Sequence, residues 1–263
     1  MDYLFCSFNE SITEEMMSAR IKYKLVIQLL ALSTAIGLVG CSTYVTPGGP
    51  ARLDTISNPN IREAFAAKPE ANFPASIVFA RVQSPGYHSY AVQGYGSGRY
   101  SVITMRDFEE DSDYQRVQSL PNVAGAISLS RLLLPEHLDD DVSLRAAAAK
   151  LHADMLLIYT VSTEFRDRNK STPLTVFTLG AAKTKDLLVS STASAILMDV
   201  RTGFVYGALD STEKATATAS AWTTTDAVEA SRKKTEQAAF QKLIGEFEPF
   251  WKNVVARYRV ASN

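Results

Sequence analysis

Apolar and polar positions fall into three regimes along the chain. From Leu25 to Gly40 the run LVIQLLALSTAIGLVG is apolar all round, with neither a charge nor a helical or strand period. From Ser42 to Pro74 apolar residues thin out, and Pro47, Gly48, Gly49, Pro50, Pro59, Pro69 and Pro74 punctuate the segment. That composition predicts a spacer, interrupted by a short helix around Ile61 to Ala67. From Ala75 onward the pattern alternates between strand and helix periods.

SIVFARV at 76–82 is a β-branched apolar run of strand length, and RYSVITM at 99–105 predicts a second strand. Asp107 to Ser119 reads as a charged surface helix stopped before Pro121, and VAGAISLS follows at 123–130. Asp139, Asp140 and Asp141 put negative charge at the start of an alanine-rich helix running through Leu144 to His152. Asp154 to Phe165 then alternates Met155, Leu157, Tyr159, Val161, Thr163 and Phe165 with the opposite set, which predicts a long strand with one face more buried. Val189 to Val200 and Phe204 to Ala219 form a hairpin through Arg201, Thr202 and Gly203, where glycine supplies the positive φ of the turn. Asp226 to Tyr258 repeats apolar residues at helical spacing, with Pro249 expected to kink or restart the helix. The expected fold class is α/β (α+β): a mixed sheet with a long antiparallel hairpin, helices packed on it, and a closing carboxyl-terminal helix.

The first regime carries an address. Arg20, Lys22 and Lys24 stand directly before the apolar run, the layout of a secretory signal peptide. Sixteen residues make a helix of roughly 24 Å, short of a ~30 Å hydrocarbon core. Its end, Leu38, Val39, Gly40 and Cys41, resembles the lipobox of bacterial lipoproteins. The resemblance implies recognition of Leu38, Val39 and Gly40 by the signal peptidase of that pathway, and diacylglycerol on the Cys41 thiol with a palmitate added. Two or three acyl chains give stable attachment. Ser42, rather than an aspartate, follows the lipidated position, which on the same resemblance implies the outer membrane, facing the periplasm. Asp2, Glu10, Glu14 and Glu15 are foreign to a basic n-region, so Met16 or Met17 is the expected start.

The carboxyl half carries a second resemblance. AAAKLHADMLLIYTVSTEF from Ala146, followed by ASAILMDVRTGFVYG, is similar to the helix, strand and Asp-x-x-Thr-Gly hairpin of the curli-export lipoprotein, the penicillin-binding-protein activator lipoproteins and the amino-terminal domain of the Tol translocation protein. It covers about a third of the chain. It implies a periplasm-facing domain that works by protein contact and has no active site. The expected organisation is therefore residues 1–40 as signal, 41–74 as lipidated tether and 75–258 as one periplasmic domain.

Composition narrows the chemistry. With 27 Lys plus Arg against 28 Asp plus Glu in 263 residues, no basic face for nucleic acid is expected. Removing residues 1–40 takes three basic and four acidic residues, leaving 24 of each. Cys6 leaves with the signal, so no disulfide is available to the exported part. His88, His137 and His152 are scattered, and no metal or cofactor is expected. Gly94, Gly96 and Gly98 in GYGSG lead into a strand rather than a helix, unlike a dinucleotide loop. Ser231 to Lys234 and Ser211 to Lys214 match S-x-x-K but lack the companion elements of penicillin-recognising enzymes, and no G-x-S-x-G, H-E-x-x-H or C-x-x-C is present. His152 suits the carbonyl end of its helix, and Asp139 to Asp141 suit a helix start better than calcium.

Two segments remain as candidate surfaces. SPGYHSYAVQGYGSGRY at 84–100 sets Tyr87, Tyr90, Tyr95 and Tyr100 among glycines, either as a binding surface or as a hairpin whose rings pack on the sheet. Ser171 to Leu188 joins two strands through an apolar stretch, either a contact loop or a membrane-inserting hairpin. The expected function is a lipid-anchored, non-enzymatic accessory factor that binds a protein or an envelope polymer in the cell envelope. A subunit of an oligomeric outer-membrane export pore and an envelope hydrolase are the alternatives. Cys41→Ala is expected to accumulate as unprocessed precursor and to lose incorporation of a clickable palmitate analogue, read by gel shift and in-gel fluorescence.

Overall fold

A computed structural model describes residues 47–56, 61–167, 185–219 and 224–259. Its elements in chain order are α1 (Leu53–Ile56), α2 (Ile61–Ala66), β1 (Ala75–Gln83), β2 (Ser97–Gly98), β3 (Ser101–Ile103), α3 (Asp111–Gln118), β4 (Val123–Ser128), a 3₁₀ turn (Arg131–Leu133), β5 (His137–Leu138), α4 (Asp141–Lys150), β6 (Met155–Asp167), β7 (Lys185–Asp199), β8 (Val205–Ala219) and α5 (Thr224–Tyr258). The class is the expected one, α/β with a mixed sheet and a closing helix.

β1 is apolar on both sides because it lies inside the sheet, where both faces are covered. It pairs in parallel with β6, Ile77 opposite Met155 through Ala80 opposite Ile158. β6, β7 and β8 continue the sheet as antiparallel neighbours. On the other edge of β1, β4 runs parallel along Ala75 to Phe79, and β3 runs antiparallel along Arg81 to Gln83. β2 and β5 make a separate two-stranded parallel ladder.

The alternation of β6 divides two cores. Met155, Leu157, Tyr159 and Val161 join Ile77, Phe79, Ala193 and Leu197 under α3 and α5, where Phe240, Phe247 and Trp251 are buried. Leu156 and Ile158 join Val78, Val82, Leu138, Leu144 and Met198 under α4 and the segment before it. Burying each such side chain stabilises by about 1.5–3 kcal/mol. α5 passes through Pro249 as one element rather than restarting there. An interior proline costs about 3 kcal/mol, and Phe247, Trp251 and Val254, buried on either side of it, offset that.

The hairpin turn shows why its sequence reads Asp-x-x-Thr-Gly. Buried Asp199 accepts hydrogen bonds from the amides of Arg201 (2.8 Å), Thr202 (3.2 Å) and Glu70 (2.7 Å) and from the Tyr206 hydroxyl (3.0 Å). The Thr202 hydroxyl donates to the Lys68 carbonyl (2.7 Å), and Gly203 holds φ +72°. The turn therefore clamps the segment that precedes β1.

Three expectations need adjustment. The charged helix begins at Asp111 rather than Asp107, because Asp107, Phe108 and Glu109 are buried in front of it. α4 ends at Lys150, and His152 follows it at φ +54° with its carbonyl accepting from Ser76 Oγ (3.2 Å). The proline-rich spacer is docked over part of its length: Ser84 N–H donates to the Gly49 carbonyl (3.0 Å), Pro50 bridges Gln83, Ala51 N–H donates to Thr160 Oγ1 (3.0 Å), and Ile56 is buried. Composition predicts a spacer, but two buried apolar side chains and a backbone ladder contact fix it to the sheet. Among the described residues, no helix is long and apolar enough to cross a membrane. The run Leu25 to Gly40 and Cys41 lie outside the described residues, as do residues 171–184 of the second candidate segment.

Candidate functional site

β4 and β3 approach the same edge of β1 from opposite directions, and neither pairs with Ala80. Past their ends the chain turns away as Thr104–Arg106 and Ser128–Leu132. A third wall, Gln93–Ser97, is fixed by Tyr95 N–H to the Val102 carbonyl and back (both 2.8 Å), by Gly94 N–H to the Tyr87 carbonyl (2.8 Å) and by Ser97 N–H to the Glu136 carbonyl (2.7 Å). These segments and Glu136 enclose a groove of about 1220 Å³.

Gly98 shows how tightly that wall is built. It holds φ +109°, and a Cβ there would lie 2.4 Å from the Leu138 carbonyl oxygen, so a side chain would part the β2–β5 ladder. The lining is mostly neutral and hydrogen-bonding: Gln93, Ser97, Thr104, Ser128 and Ser130, with the half-buried Tyr95 ring among them. Met105 and Leu132 project at the rim, 64 % and 87 % exposed. Arg106 is paired to Asp111 and lies over the Tyr114 ring (4.5 Å); the hydrogen bond it donates to Asp111 raises its pKa. Arg131 and Glu136 supply the remaining charges of the lining.

At one wall of the groove a serine, a histidine and an aspartate are in line. Ser97 Oγ lies 3.3 Å from His137 Nδ1, and His137 Nε2 lies 2.9 Å from Asp139 Oδ2. Ser97 and His137 are brought together because they are register partners in the β2–β5 ladder. All three are exposed, and Ser97 Oγ is also 3.3 Å from the Glu136 carbonyl. Chemically the arrangement is a hydroxyl with a base in reach and a carboxylate behind it, without desolvation.

The candidate tyrosines separate. Tyr87 packs with Val92 and Ile103, and burial pushes its hydroxyl pKa up. Tyr100 is fully buried and donates to the Asp140 carbonyl (2.7 Å), its pKa raised by burial and by Asp140. These two are core residues rather than surface. Tyr95 lines the groove, and Tyr90 is 79 % exposed at the tip of its loop. The three aspartates find different roles: Asp140 caps α4 through the Val142 amide (3.1 Å), Asp141 pairs with Arg145 (2.6 Å), and Asp139 faces His137. His88 contacts only its own loop, through the Gly86 carbonyl (3.4 Å).

Sequence reasoning missed the charges behind the groove. Arg232 of α5 is completely buried and pairs with Asp107 (3.1 Å), Glu229 (2.5 Å) and Glu236. Thr163 Oγ1 donates to Glu236 (2.7 Å). Beside it, buried Arg81 meets Glu109 (3.3 Å), which also accepts from the Tyr159 hydroxyl (2.9 Å) and from the amides of Asp107 (3.1 Å) and Phe108 (3.3 Å). Burial opposes the charge on Arg232, but the Glu229 hydrogen bond and the Glu236 and Asp107 charges outweigh it and raise its pKa. Burial raises the Glu236 pKa, with Arg232 and Arg81 working against it. The cluster fixes the 107–110 segment that continues from the Thr104–Arg106 wall. A signal was present: Val228, Arg232, Thr235, Ala239 and Leu243 share one helical stripe, so the arginine stood on the buried face.

No family model and no curated protein matches the chain. Among solved structures, protein XCC0632 of Xanthomonas campestris, of family DUF330, is similar at 13 % identity, over 76 % of this chain and 93 % of that one, with a TM-score of 0.36. A PelC dodecamer from Paraburkholderia phytofirmans is similar at 11 % identity, over 67 % and 91 %, with a TM-score of 0.25. The hypothetical protein CT253 of Chlamydia trachomatis is similar at 9 % identity, over 70 % and 99 %, with a TM-score of 0.29.

Arg232→Ala is expected to cost about 3–5 kcal/mol in urea unfolding, because it strands buried carboxylates without a counter-charge. Loss of only a few tenths would mean that the cluster is not closed in solution.

Proposed function

We propose that the chain is a lipoprotein of the bacterial cell envelope, held through a diacylated Cys41 and facing the periplasm from the outer membrane. Its folded domain is a non-enzymatic accessory factor that holds an extended envelope glycan in the groove beside β1. The groove carries this reading. Its walls are fixed by backbone ladders, and its hydroxyl and amide lining can exchange hydrogen bonds with a polyhydroxylated chain. The Tyr95 ring gives a sugar an apolar face to stack on. Its volume, about 1220 Å³, exceeds that of a usual small-ligand pocket and suits a polymer better.

Co-sedimentation with purified peptidoglycan sacculi tests it. Tyr95→Ala with Arg131→Ala is expected to weaken retention by roughly tenfold, the worth of one stacking contact with its hydrogen bonds. Retention of wild type and variant alike, or of neither, removes the glycan from the groove.

One observation favours a second reading, hydrolysis of an ester on the bound polymer: the Ser97, His137 and Asp139 line. In that case Ser97 Oγ attacks the ester carbonyl while His137 Nδ1 takes its proton. The proton then passes to the departing alcohol, and water releases the acyl group from Ser97. The leading reading expects no fluorophosphonate adduct on Ser97 and equal p-nitrophenyl acetate turnover in wild type and Ser97→Ala. An adduct mapped to Ser97, lost in that variant, would make the domain a hydrolase.

A further inference from the structure

Where the chain leaves the described domain constrains which surface can meet a bilayer. Pro47 to Ala51 are held at the carboxyl end of β1: Ser84 donates to the Gly49 carbonyl, Pro50 bridges Gln83, and a Cβ on Gly48 would lie 2.8 Å from Ser84 Oγ and 3.3 Å from the Tyr87 ring. Six peptide units separate Pro47 from Cys41, a reach of at most about 20 Å even when fully extended. Whatever is held in the membrane at Cys41 is therefore tied close to the loop that follows β1.

That loop is uncharged. From Ser84 to Gly98 the chain contains no Asp, Glu, Lys or Arg. Tyr87 and Val92 root the loop in a small core with Ile103, leaving Pro85, Gly86, His88, Tyr90 and Ala91 outside. Tyr90 projects at its tip. An uncharged loop with an exposed tyrosine suits the headgroup layer, where an amphipathic ring places its body among acyl chains and its hydroxyl in water.

The molecule offers a competing apolar feature in α2, where Ile61 and Phe65 are 72 % and 88 % exposed. The chain just after α2 is fastened elsewhere, by Thr202 to the Lys68 carbonyl and by Asp199 to the Glu70 amide, at the hairpin turn. That turn reaches the amino-terminal end of β1 through Arg201, Asp154 and Ser76. The two ends of β1 are about 26 Å apart at 3.3 Å per residue. The tether length selects the tyrosine loop over α2.

We propose that the loop at Ser84 to Gln93, with Tyr90 at its tip, is a membrane-contacting surface that seats in the phospholipid headgroup layer and orients the anchored domain. The proposal rests on the membrane anchor proposed above and assigns a second contact to the folded domain itself.

The test uses the full processed chain in phosphatidylethanolamine–phosphatidylglycerol vesicles doped with a diazirine phospholipid, with flotation measured in parallel. After illumination and trypsin digestion, lipid adducts are expected on the peptide Val82 to Arg99, at several times the yield on Glu63 to Arg81. Tyr90→Asp is expected to cut the Val82 to Arg99 yield several-fold while flotation is unchanged. Adducts confined to residues 41–46, or concentrated on Glu63 to Arg81, overturn the loop contact and leave the anchor standing. A chain that fails to float overturns both.

Discussion

A β-strand has two edges, and β1 uses one of them twice. Its amino-terminal half takes β4 in parallel and its carboxyl-terminal end takes β3 in the opposite sense, so the two neighbours converge and must part where they meet. Residues beyond a strand end carry unpaired backbone groups that need water or a new partner. Here Leu129 N–H, just past β4, donates to the Phe79 carbonyl (2.9 Å), while β2 and β5 pair with one another in a separate ladder. The groove follows from that geometry, because two strands diverging from one edge leave a trough between them.

The segment that continues one wall of the trough is fixed by buried charge. Burying an arginine without partners is prohibitive, so Arg232 draws Asp107, Glu229 and Glu236 around itself, and Arg81 draws Glu109. These carboxylates come from α5 and from the segment before α3, while the arginines come from α5 and β1. The ion network thereby ties three elements together at one place. Hydrophobic packing alone would let α5 slide along the sheet, whereas fixed donor and acceptor directions set its position. Arg81 Nε and Nη2 and Asp107 Oδ1 make no hydrogen bond among the described residues, and the Arg81 guanidinium lies over the Phe108 ring (4.2 Å).

Much of this architecture is legible in the chain. β1, β6, the β7–β8 hairpin and α5 announce themselves through period and length, and the Asp199 to Gly203 motif foretells its turn. The alternation of β6 shows one face more buried, and the structure locates the difference: both faces are buried as far as Val161, and beyond it Ser162, Glu164 and Arg166 lose their cover. The groove is illegible for a physical reason. It is made by strands of two or three residues, too short to show a period, whose pairing is decided by close approach at Gly98 and by distant carbonyls. Composition hides Arg232 among the charges of its helix, and only its place on the stripe from Val228 to Leu243 marks it as buried. Pro47 to Ala51 misled in the opposite sense, because prolines and glycines describe a spacer until something docks them.

The two groups of charges also differ in what their depth allows. Arg232 lies in a low-dielectric interior, where each lost partner is felt in full, and it serves rigidity. His137 and Asp139 lie in water, where such a contact contributes at most about 1 kcal/mol and holds geometry loosely. A nucleophilic serine needs its base oriented and its developing oxyanion met by donors already in place. Ser97 instead lies within reach of two acceptors, His137 and the Glu136 carbonyl, so its hydroxyl proton is divided between them. Both contacts tie the Ser97 side chain to the segment that carries β5.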